Sequence, residues 1–152
     1  MLEVAMNLRG LGASCALSYA AAELMDDPEI IMEAIIKHNR SALIYASHRL
    51  KSDLNFIIEA IELDLFAFEF ASAELRDNSD ILLMALEKYA ISHASNGVGG
   101  SFELHGHPLE HASSRLSNDR DIVLGAVNTD GLALEYASKD IKEYFGVVRA
   151  AV

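Results

Sequence analysis

The chain is 152 residues long, 51% hydrophobic, and carries a formal charge of −11 from 23 acidic against 12 basic residues. That hydrophobic share can supply a continuous core for one globular domain or a short solenoid, and it argues against disorder. The charge repels phosphate backbones and anionic lipid headgroups, so a basic or neutral protein is a better partner than nucleic acid or a membrane surface.

Cys15 is the sole cysteine, which excludes an internal disulfide and a thiolate metal cluster and fits a reducing, cytoplasmic setting. The apolar run from Leu11 to Ala22 superficially resembles a cleaved leader. Glu3 stands where such a leader needs basic residues, and the run contains an Ala-Leu-x-Tyr-Ala pattern that returns inside the chain, so a repeat register explains it better. No segment reaches the roughly 18 uninterrupted apolar residues that a membrane span needs.

The pattern begins at Ala16-Leu17-Ser18-Tyr19-Ala20 and recurs as Ala42-Leu43-Ile44-Tyr45-Ala46-Ser47 and Ala67-Phe68-Glu69-Phe70-Ala71-Ser72. Two further copies are Pro108-Leu109-Glu110-His111-Ala112-Ser113 and Ala133-Leu134-Glu135-Tyr136-Ala137-Ser138. A second half completes the unit: an Asp or Asn, an apolar pair three and four residues later, and a small-apolar pair one turn on. Asp27, Asp53, Asn78 and Asp119 lead these halves. Their side chains can accept hydrogen bonds from first-turn amides, and Pro28 suits a first helical position.

The motif is read as the unit's other helix, closed by an aliphatic residue five positions after the aromatic slot, at Leu24, Leu50, Leu75, Leu116 and Ile141, and the next cap follows three residues on. After Ile141 that place falls to Tyr144, which has no capping chemistry, so the last helix start is predicted to fray. The units lie near 1–26, 27–52, 53–77, 78–118, 119–143 and a partial 144–152, and the fourth carries an insertion of about 16 residues over 89–107. Two short helices per 25 or so residues cannot bury their apolar faces alone, whereas stacked copies share a core. The prediction is one all-α repeat domain of about eleven short helices, a short α-solenoid or compact helical array. Ala at the helix centres keeps backbones close, and Ser47, Ser72, Ser113 and Ser138 are expected to bond a carbonyl one turn back. The aromatic slot and its leucine neighbours are the expected core anchors.

The segment Asp119 to Ile141, with Asp27 to Leu50 and Asp53 to Leu75 as looser copies, resembles the repeat known as domain of unknown function 4116. The resemblance covers nearly the whole chain apart from the insertion. It implies a multi-copy helical protein with host-directed or regulatory interactions, including delivery to a host cell if the source is a bacterial effector. It brings no catalytic residues. Pro108, His111 and Tyr144 depart from the pattern.

Chemistry, if present, is expected in the insertion, read as a Gly-rich surface loop. His105-x-His107 could offer two imidazoles to zinc, with His93 or Glu103 as a third ligand and an open position for water. Against this, His111 occupies the aromatic slot, His107 precedes a helix start at Pro108, and the spacing is no specific motif. Asn96 to Ser101 lacks the Gly-Lys-Ser/Thr ending and preceding strand of a phosphate cradle, and Ser14 beside Cys15 has no recognisable base.

Glu59, Glu62, Glu69, Glu74, Glu87, Glu110 and Glu135 recur at outward positions, either as a solvated face or as an electronegative strip for a basic peptide. The leading functional expectation is a non-enzymatic protein-binding module that needs no cofactor and uses Glu59, Glu62, Glu69, Glu87, Glu135 and the insertion. The alternative is metal binding or metal-dependent hydrolysis at the insertion, and a third reading is a capping piece of a longer array. Val147, Val148 and Val152 on the terminal helix offer a face for self-association.

Overall fold

Each Asp or Asn assigned as a cap opens a helix in the computed structural model, which describes residues 22–37, 42–96 and 106–150. Asp27 precedes the helix Pro28–Ile36 and accepts from the amides of Glu29 and Ile30, while Asp53 precedes Leu54–Leu63 and accepts from Phe56. Asn78 accepts from the amides of Asp80 and Ile81 at the start of Ser79–Asn96, and Asp119 from those of Asp121 and Ile122 at the start of Arg120–Thr129. Every element among the described residues is α-helical or 3-10, so the fold is all-α.

Two compact units divide between Ser72 and Ala73. In the first, the 28–36 helix packs on the single-turn helix Ala42–Tyr45 and on the 54–63 helix, which in turn packs on Ala67–Phe70. Ile31, Leu43, Leu50, Ile57, Ile61 and Phe68 are fully buried. In the second, the 79–96 helix packs on Ala73–Arg76, Pro108–His111 and the 120–129 helix, and the last of these also packs on a 3-10 segment, Gly131–Tyr136. Leu82, Leu109, Leu116 and Val123 form its buried centre. Ala42, Ala60 and Ala67 in the first unit, and Ala85, Ala126 and Ala133 in the second, have no exposed surface, as backbones in close approach require.

Five expectations need correction. The motif does not lie on one continuous helix. The backbone becomes extended around its Ala-Ser step, as at Ser47 and at Ala71, Ala112 and Ala137, and a new turn begins after it. The hydroxyls of Ser47, Ser113 and Ser138 do not reach back one turn either. Ser47 Oγ accepts from the Leu50 amide at 3.2 Å, Ser113 Oγ from Leu116 at 3.2 Å and Ser138 Oγ from Ile141 at 3.3 Å. Serine competes with the backbone for local hydrogen bonds, and here it wins by capping the next turn. The aromatic slot is no core anchor: Tyr45, Phe70, His111 and Tyr136 are only half-buried, whereas Leu43, Phe68 and Leu109, two positions earlier, are fully buried.

The insertion, finally, begins as helix rather than loop. Ser79–Asn96 has 18 residues, against 9 and 10 in Pro28–Ile36 and Leu54–Leu63. Eleven residues after their caps, the 54–63 and 120–129 helices stop at Asp64 and Asp130, whose backbones are extended. Tyr89 holds that place after Asn78, and no Gly, Pro or Asp follows it before Gly97, so nothing ends the helix there. The same logic overturns fraying at Tyr144. With no acceptor to break the backbone, Lys139–Ala150 runs straight through, and the Arg120 guanidinium lies 4.4 Å from the Tyr144 ring centroid.

Candidate functional site

The interrupted unit holds the one buried polar side chain among the described residues, His107, which is 3% exposed. It precedes Pro108 and caps the 108–111 turn: Nδ1 accepts the Leu109 amide at 3.1 Å. An accepting Nδ1 carries no proton, so the proton of the neutral ring is on Nε2. That Nε2 is buried without a hydrogen-bond partner. The ring meets Tyr89 edge-to-face at 4.6 Å between centroids and stacks on Tyr136 at 5.8 Å.

Asp130 ties this cluster together. Its Oδ2 accepts the Tyr89 hydroxyl at 3.0 Å and its Oδ1 accepts the Leu132 amide at 2.9 Å. Burial, then the Asp130 bond, pushes the Tyr89 phenol up to about 12. Burial pushes His107 down to about 4, against a weaker pull upward from the Asp130 charge. Burial first, then the Glu110 and Glu135 charges, raises Tyr136. The cluster is a neutral imidazole and two neutral phenols set against one carboxylate.

Such an arrangement does not suit His107 to metal binding. A metal takes a nitrogen lone pair, but Nδ1 has committed its own to Leu109 and Nε2 carries the proton. The His93 side chain, Glu103 and His105 lie outside the described residues. Among the described residues, no three His, Cys, Asp or Glu side chains are grouped to hold a metal ion.

A second polar arrangement recurs between successive repeats. The Ser47 amide donates to the Met25 carbonyl at 2.9 Å, Ser72 to Lys51 at 2.8 Å, Ser113 to Arg76 at 3.3 Å and Ser138 to Ser117 at 2.8 Å. The Ser47 hydroxyl also donates to the Asp26 carboxylate, Ser113 to Asp77 and Ser138 to the Asn118 side-chain oxygen. Arg49 reaches the Asp26 carboxylate at 2.9 Å and its carbonyl at 2.7 Å, and Arg115 reaches the Asp77 carboxylate at 3.0 Å and its carbonyl at 2.5 Å. The serine bond, then the arginine, holds each of these aspartates below the usual carboxylate range. These contacts join repeat to repeat, so they build the scaffold rather than offer a reactive group.

The five glutamates expected to bind a partner are all exposed: Glu59, Glu62 and Glu69 in the first unit, Glu87 and Glu135 in the second. Val152 lies outside the described residues, as do the side chains of Val147 and Val148, although the helix carrying those two is present. No helix among the described residues is long and apolar enough to cross a membrane. Reading for motifs missed Asp130 and Tyr136 as partners of His107. The available signal was Asp64 and Asp130 standing three residues before Ala67 and Ala133.

Capped helices followed by a serine-broken double turn, joined to the next unit by a repeated backbone bond, define an all-α repeat protein. The chain belongs to the family described as Domain of unknown function (DUF4116), whose model matches it three times, over residues 27–76, 53–97 and 101–142. No curated protein and no solved structure matches it.

Proposed function

We propose that the protein is a non-enzymatic protein-binding module that presents acidic helix faces to a basic partner. One observation carries this reading: Glu59, Glu62, Glu69, Glu87 and Glu135 are all exposed in a chain whose formal charge is −11. Apolar side chains share the outward surface, with Leu63 beside Glu62 at 50% exposed and Ile44 at 52% in the motif place that Glu69 fills in the next repeat. Mixed acidic and apolar surface suits a basic amphipathic segment, because charge steers the encounter and apolar burial holds the complex. A cytoplasmic location, or delivery into a host cell, agrees with this reading.

The test uses paired synthetic amphipathic helices of equal hydrophobicity, one lysine-rich and one glutamate-rich, titrated by fluorescence anisotropy. The protein is expected to bind the lysine-rich peptide at least tenfold more tightly, and Glu59→Lys with Glu62→Lys to remove most of that preference. Equal affinity for both peptides, or no effect of the reversal, refutes the reading. Metal binding is the competing account, and stoichiometric zinc in the purified protein, with unfolding on chelation, would favour it.

A further inference from the structure

Two features of His107 are left unexplained by repeat packing: a cap made by histidine instead of Asp, Asn or Ser, and a buried Nε2–H with no partner. Aspartate or serine would cap the same turn with no ring to bury. Histidine caps only while Nδ1 is unprotonated, because both ring nitrogens of the cation are donors. The capping bond and the charge state of the ring are therefore mutually exclusive.

We propose that His107 is an acid-operated latch: a proton taken from solvent onto Nδ1 withdraws the acceptor that caps the Pro108–His111 turn and releases the ring from Tyr89 and Tyr136. Titratable groups lie against the ring, against the tyrosines it touches or on its own segment, and come from three places. From the 79–96 helix comes Tyr89, and from 130–136 come Asp130, Glu135 and Tyr136. From its own segment come Glu110 and His111, both close enough to Gly106 that a Cβ there would lie 2.8 Å and 2.9 Å from their ends. Asp130 is the carboxylate that favours the charged ring, but its two oxygens are already engaged by Tyr89 and Leu132. Loss of water around the ring outweighs it.

The linkage has one sign. The folded state holds the His107 proton more weakly than the unfolded chain, so its contribution to stability is complete above about pH 6.5 and is lost as pH falls towards about 4. Over that window the folded-to-unfolded ratio is expected to drop by on the order of a hundredfold from this group alone. Other carboxylates titrate in the same range, and a variant lacking only this proton separates them. His107→Asn retains a side-chain acceptor at the cap and cannot titrate.

Urea unfolding of the intact protein and of His107→Asn is measured from pH 7.5 to 4, with the imidazole followed by NMR and the Leu109 amide by hydrogen exchange. The wild type is expected to lose stability on acidification more steeply than the variant, by the uptake of one proton. Its imidazole is expected to titrate below the value found for the same ring in urea, with Leu109 protection lost on the acid side. Parallel pH profiles for the two proteins, or an imidazole midpoint at or above its value in urea, overturn the proposal. If His107→Asn does not fold, the wild-type imidazole midpoint decides alone.

Discussion

Phe68 and Phe70 lie two residues apart in the same motif and separate two accounts of what holds a repeat together. Phe68 is 1% exposed, packed within the first unit, while Phe70 in the aromatic slot is half-buried. Truncating Phe68 to Ala removes a fully buried ring and leaves a cavity in a close-packed interior that collapses only in part. The expected cost is about 3–5 kcal/mol. Phe70→Ala removes a ring already partly in water, and roughly half that cost follows, about 1.5–2.5 kcal/mol. For a chain of this size, Tm should fall by about 6–20 °C in the first case and about 3–10 °C in the second. Urea unfolding followed by circular dichroism at 222 nm measures both, with an unchanged m-value required for the comparison. If Phe70→Ala costs as much as Phe68→Ala, the aromatic slot is the anchor after all, and the packing argument fails.

Ser47→Ala removes both the cap on the Leu50 amide and the hydroxyl bond to Asp26, and a loss of about 1–2 kcal/mol is expected by the same urea assay. Ser113→Ala should lose a similar amount in the second unit, whose junction is built the same way. A negligible effect at both positions would show that the serines only fill space. Gly125 sits exposed within the 120–129 helix, and a Cβ there would meet nothing within 4 Å. Gly125→Ala is therefore expected to stabilise by about 0.5–1 kcal/mol, and a thermal melt showing a lower Tm would contradict it.

The helix starts were legible because a cap is a local event. Asp27, Asp53, Asn78 and Asp119 need only their own first turns to act, and sequence spacing displays those turns directly. The extended backbone at each Ala-Ser step was not legible, because serine has two uses in a helix and the choice between them depends on distant partners. Ser47 chooses capping with its amide on Met25 and its hydroxyl on Asp26, some twenty residues away. The extent of the 79–96 helix was readable in principle, from Tyr89 standing where Asp64 and Asp130 end the other helices. It was obscured by the glycines that follow. The His107 cluster was half legible: a histidine before Pro108 drew notice for its ligand chemistry, but its contacts with Tyr89 and Tyr136 are tertiary.

The junctions between repeats differ in one respect that bears on how the molecule responds to its medium. Asp26 with Arg49 and Asp77 with Arg115 are exposed ion pairs, whereas Asn118 with Ser138 carries no charge. Dissolved salt weakens the first kind and leaves the second untouched. Ionic strength thus acts unevenly along one chain, loosening a seam in each unit while the seam nearest the terminal helix keeps its grip.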